Sequence, residues 1–102
     1  MQVRVLRNQD VRRVLIGVPR GHRHIRVLLD IGDVVLVLQE ATVSNITRAF
    51  LSILLHPQKA AVELRCVKLE DRKSGYAEYQ LIESDRSEEE VLAEMDSILA
   101  GE

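Results

Sequence analysis

Residues 40–57 read EATVSNITRAFLSILLHP, and no other stretch limits the fold so strongly. Thr42 is a good N-cap by residue type, so the pattern predicts a helix from Val43 to Leu55. His56-Pro57 should end it, because the residue before a proline avoids the helical region. At 100° per residue, Val43, Ile46, Ala49, Phe50, Leu51, Ile53, Leu54 and Leu55 sweep roughly 240° of the circumference, where a one-faced helix needs about 100°. Only Asn45, Arg48 and Ser52 define a polar side. A sheet covers about half of such a helix and a second helix a little more. What remains predicts an exposed apolar patch, and patches of that kind mark partner surfaces. The candidate interface is Val43, Ile46, Phe50, Leu51, Leu54 and Leu55. The competing account is that N-terminal strands fold over the helix and close it off.

The flanking sequence predicts what this helix is attached to. QVRVL (2–6) and VRRVLIGV (11–18) are β-branched and partly alternating, and read as strands separated by Asn8-Gln9-Asp10. PRGH (19–22) is a turn signal. HIRVLLD alternates, Asp30-Ile31-Gly32-Asp33 closes a hairpin, and the wholly apolar VVLVL (34–38) reads as a central strand buried on both faces. Beyond the helix, AAVELRCVKLE (60–70) reads as a strand whose apolar phase shifts from Cys66 to Val67, as a bulge would make it. DRKSG is a turn and YAEYQLIE (76–83) a returning strand. SEEEVLAEMDSILAG closes the chain as a helix, with Ser87 and Glu90 in capping-box positions and glutamates at its positive end. The order is roughly β-β-β-β-α-β-β-α. The expectation is a single α+β domain over residues 1–102, an antiparallel sheet with two helices on one face.

With 102 residues, 46% of them hydrophobic and only three aromatic, the core must be aliphatic. The lone Cys66 has no internal partner, which fits a reducing interior. No apolar run is long enough to span a bilayer, and the first residues lack the apolar core of a signal peptide. These features predict a cytoplasmic protein with no membrane partner.

Charge is unevenly placed. Residues 1–26 hold seven arginines and one acid, formally +6, and the other 76 residues hold seven basic and fifteen acidic groups, formally −8. A basic edge built from Arg12, Arg13, Arg20, Arg23 and Arg26 offers the alternative function, neutralising the phosphates of a nucleic acid. The scarcity of aromatics for base stacking and the net charge of −2 weigh against it.

From about residue 24 onward the chain resembles subunit L of archaeal RNA polymerase and its relatives, the small alpha-like dimerisation subunits. That family has a hairpin, a capped helix beginning HTLGNLLR, a further hairpin and a C-terminal helix with an acidic start. ATVSNITRAFL is similar to that helix start, with Thr42 at the threonine, Val43 and Ile46 at leucines, Asn45 at the asparagine and Arg48 at the arginine. SEEEVLAEMDSIL is similar to the terminal helix. The histidine–proline pair of the family's second hairpin falls directly after the helix here, and the N-terminal strands are extra. The resemblance implies a dimerising role.

No constellation supports chemistry. His22 and His24 lie among Arg20, Arg23 and Arg26, whose charge repels a metal cation. His56 beside a proline suits a helix-end interaction, and no Cys-x-x-Cys or His-x-x-x-His spacing occurs. Cys66 sits between apolar neighbours, where cysteine acts as a small hydrophobe. Glu88, Glu89 and Glu90 are a helix start. The expectations are therefore no catalytic residue, metal, cofactor or small-molecule substrate, and a non-enzymatic module that forms a homo- or heterodimer with a protein partner.

Overall fold

The computed structural model describes residues 2–70 and 77–101. It is an α+β chain of two antiparallel sheets and two helices, in the order β-β-β-α-β-β-α. The strands and helices are β1 (Arg13–Gly17), β2 (Arg26–Asp30), β3 (Val35–Gln39), α1 (Glu40–Leu54), β4 (Leu64–Lys68), β5 (Tyr79–Glu83) and α2 (Glu88–Leu99). The chain divides into two compact units, Met1–Ile46 and Thr47–Gly101.

The first unit is built on β1, β2 and β3, with β2 in the middle. Two turns foreseen from the sequence set it up. The Pro19–His22 turn closes with the His22 amide donating to the Pro19 carbonyl at 3.0 Å, and Gly21 takes φ +81°. Between β2 and β3, the Gly32 amide donates to Asp30 Oδ1 at 3.0 Å, and Gly32 at φ +100° allows the reversal. Ile31, between them, is the one buried side chain of this unit among the described residues.

Three expectations for this unit are corrected. QVRVL forms no strand; the chain there leads into a short 3₁₀ turn at Asn8–Asp10, where the Arg7 amide donates to Asp10 Oδ2 at 3.0 Å. Arg4 is instead drawn to Asp33 at 3.1 Å. VVLVL is an edge strand rather than a central one: apolar residues on both faces signal two faces to be covered, not two neighbouring strands. The helix starts at Glu40, directly after the last residue of β3, so Thr42 lies inside it and is not its cap. Glu40 ties this start to the strand before: its carboxylate accepts from the Ile25 amide at 3.1 Å and lies 2.9 Å from His24 Nδ1.

The second unit holds β4, β5 and α2. β4 and β5 pair without interruption from Leu64↔Glu83 to Lys68↔Tyr79, so the expected bulge is absent. The strand foreseen over 60–70 shortens to Leu64–Lys68, and the DRKSG turn lies outside the described residues. The strands thus form two sheets where the sequence pointed to one. The capping box of α2 is present. Ser87 Oγ accepts from the Glu90 amide at 3.2 Å, and Glu90 Oε1 accepts from the Ser87 amide at 3.3 Å. Ala61 and Val91 are the buried side chains of this unit. Beside them Arg86 donates to Glu63 at 2.8 Å and to Glu94 at 2.6 Å, tying the approach to β4 to α2.

Candidate docking surface

Of the apolar surfaces left open among the described residues, two follow from their local geometry. On α1, residues four apart stack on one side of the helix, so Ile46, Phe50 and Leu54 form a stripe. Phe50 and Leu54 are 63% and 65% exposed, and Leu55, one residue past the helix, is 67% exposed. Leu51 and Ile46 are exposed as well; Val43 is half-buried. Five of the six residues proposed from the sequence as an interface therefore face outward on one helix and its C-terminal turn.

The polar groups near this helix end are spent internally. Ser52 Oγ donates to the Ala49 carbonyl at 2.9 Å. His56 Nδ1 lies 2.7 Å from the Ser52 carbonyl and closes the last turn, in the helix-end role expected of it.

The second surface was not foreseen. Residues paired across an antiparallel sheet share a face. Val14 pairs with Leu29, which pairs with Leu36; Ile16 pairs with Val27, which pairs with Leu38. These six side chains make one face of the first sheet wholly aliphatic. The opposite face carries Leu15, Leu28 and Val37 between a polar row of Arg13 and Asp30 and another of Arg26 and Gln39. Neither face is closed. Ile16 is 70% exposed, Val14 and Leu36 are exposed, and even the middle strand β2 is only half-buried along its length. The signal for this surface lay in the uninterrupted apolar run of β3, but which residues it joins depends on a register that the sequence alone does not give.

The arginines of the alternative reading are partly engaged. Arg13 Nε lies 3.3 Å from Asp30 Oδ2. The Arg12 guanidinium lies against Gly32, and a Cβ placed on that glycine would stand 3.3 Å from Arg12 Nε. Arg20 and Arg23 are exposed in the loop between β1 and β2, and Arg26 begins β2 half-buried. Their side chains do not converge on one strand or helix.

Four acids in the described structure are held below their ordinary values, Asp33 among them by the Arg4 guanidinium. The Ile25 amide, then His24, lowers Glu40. The Gly32 amide, then Arg13, lowers Asp30. The Ser84 hydroxyl, then Arg65 and Arg86, lowers Glu63. Each is a structural tie rather than a poised acid or base. Cys66 is exposed on β4 and unpaired, not enclosed as its apolar neighbours suggested. No group of three or more metal-ligating side chains occurs among the described residues, and no helix among them is long and apolar enough to cross a membrane. No family model, curated protein or solved structure matches this chain.

Proposed function

We propose that this chain is a non-enzymatic assembly module that dimerises through α1 and its C-terminal turn. The observation that carries the reading is the open stripe of Ile46, Phe50 and Leu54, continued by Leu51 and Leu55. Large apolar side chains left in water on one helix favour association, because each removes on the order of 2 kcal/mol of unfavourable hydration when covered. The resemblance of Ala41–Leu51 and Ser87–Leu99 to the alpha-like dimerisation subunits of archaeal RNA polymerase supports the same role, as a polymerase-subunit-like adaptor. The unpaired, exposed Cys66 favours a reducing, cytoplasmic setting.

The nucleic-acid reading has weaker support. Arg4 and Arg13 are matched to acids of their own chain, and the other arginines of residues 1–26 are shared among the N-terminal segment, the β1–β2 loop and the start of β2.

Sedimentation of the purified chain tests the proposal. The wild type should run as a dimer, and Leu51→Glu combined with Leu55→Glu should give a monomer or an insoluble chain. A stable wild-type monomer across the accessible concentration range overturns it.

A further inference from the structure

We infer that the outer edge of β1 is a docking site for an extended acidic peptide of a partner protein, which pairs its backbone with Val14 and Ile16 and sets a glutamate against Arg26. All the residues concerned lie in the first compact unit, and the site makes no use of the α1 stripe.

The phase of the sheet gives the edge its free backbone groups. The Ile31 amide donates to the Val34 carbonyl at 3.1 Å, and the Arg12 amide to the Asp30 carbonyl at 2.8 Å. Hydrogen-bonded and non-bonded pairs alternate along an antiparallel ladder. Ile31, Leu29 and Val27 therefore bond towards β3, and Asp30, Leu28 and Arg26 towards β1. On β1 this turns Arg13, Leu15 and Gly17 to β2 and leaves the N–H and C=O of Val14 and Ile16 pointing out of the sheet. Groups placed in this way receive an added strand.

Side chains set what that strand must carry. An open groove of about 500 Å³ runs beside β1, lined in part by Leu15 with Leu28 and by Gly17 with Arg26. These two pairs share one face of the sheet. A residue added opposite Leu15 meets an aliphatic floor. A residue added opposite Gly17 meets open space, since nothing lies within 4 Å of the Cβ position there. It looks across to Arg26, about 10 Å away at two strand spacings. An arginine and a glutamate together span that gap. Among the described residues Arg13 finds Asp30, whereas Arg26 makes no ion pair. The strand that fits carries a glutamate two residues from an apolar side chain.

Charge selects the occupant. Residues 11–29 hold five arginines and no acid. A second copy of β1 would lay those arginines against their equals. With Leu15 opposite its own copy, Arg13 would fall opposite Gly17 and face Arg26. Like charges set across a sheet are destabilising, so the edge favours an acidic strand over its own kind. A nucleic acid would meet the arginines but leave the aliphatic floor of Leu15 and Leu28 uncovered.

Selection from a random peptide library on the immobilised full chain tests this. Enriched peptides should be β-branched, with glutamate or aspartate two positions from an apolar residue. The best of them, synthesised, should protect the Val14 and Ile16 amides from hydrogen exchange, while Leu15, already bonded to β2, changes little. In fluorescence anisotropy Arg26→Gln should weaken binding roughly tenfold or more, the scale of a hydrogen bond to a charged group. Gly17→Val, which fills the open position and suits a strand, should do the same. Exchange protection at Leu28 shows that each variant keeps its sheet. No enrichment, enriched peptides without an acid, or binding that leaves the Val14 and Ile16 amides open or ignores Arg26→Gln overturns the inference. So does protection of those two amides in the free chain, which would put a second β1 on the edge. Tighter binding of an RNA or DNA oligomer than of any selected peptide, lost with Arg26→Gln, overturns it as well. None of these results touches the α1 reading, and a chain that is monomeric in sedimentation yet binds such peptides keeps this inference and removes that one.

Discussion

The Arg86 guanidinium reaches Glu63 at 2.8 Å across 23 residues of sequence, and the same nitrogen lies 2.6 Å from Glu94 on α2. Its side chain is 24% exposed, so this pair is shielded more than the other ion pairs nearby. Arg86 is held more firmly protonated by Glu94 first and Glu63 second. Replacing it by Gln should leave two carboxylates facing each other and lower the thermal midpoint. Arg86→Lys should recover only part of the loss, because an ammonium does not reproduce the fork geometry. Calorimetry of both variants checks the order; equal midpoints for Gln and wild type would show that the ties contribute nothing.

Acid should loosen the chain in a definite window. Glu63 and Glu40 lie below the ordinary 4.5, and Asp30 below the ordinary 3.8. A carboxylate lowered in the folded state adds stability that is complete above its ordinary value and lost as pH falls through the lowered one. Denaturant titrations should therefore show stability declining below pH 4.5, with a further decline below 3.8. Glu40→Gln should flatten part of that decline, since it removes the group held by the Ile25 amide and His24.

Ser87→Ala should destabilise α2 by about 1 kcal/mol, the usual worth of an N-cap hydroxyl. Ser87→Asp should retain most of the stability, because an aspartate also accepts from the Glu90 amide and suits the positive end of the helix. Helix content followed by circular dichroism during heating distinguishes the two.

Gly32→Ala should cost about 1–2 kcal/mol, because Gly32 has φ +100° and an L side chain is strained there. The added Cβ would also press on Arg12 at 3.3 Å. Gly17→Ala, with nothing within 4 Å of its Cβ position, is the matched control and should be nearly silent. Chemical denaturation of the pair measures the difference.

Fluorescence anisotropy with labelled DNA and RNA should show no association with the chain in low salt. Binding that falls steeply as salt rises, and that weakens on replacing Arg20 and Arg23, would move the weight to the basic edge.

What the sequence disclosed follows the range of the forces involved. The hairpin at Asp30–Asp33, the turn at Pro19–His22 and the capping box of Ser87 with Glu90 are each written in a few adjacent residues, and each is present. The α+β class follows from the alternation of patterns and is likewise present. Non-local choices were less legible. QVRVL has strand character but no strand pairs with it among the described residues, while Arg4 finds Asp33. The apolar run of β3 fits a central strand and an uncovered edge strand equally well by composition. At the candidate surface, the α1 stripe was readable because helical periodicity lies within one segment. The sheet face that Val14, Leu29 and Leu36 share was not, because it depends on a register between three strands.

The edge position of β1 has a consequence for how such a chain is made. VLIGV presents an apolar strand with one unpaired backbone rim and neither lysine nor proline within it. Rims of that kind template stacking with any similar strand that arrives first. A newly synthesised copy therefore exposes an edge that a like strand can extend, and dilute expression should hold fibril growth back.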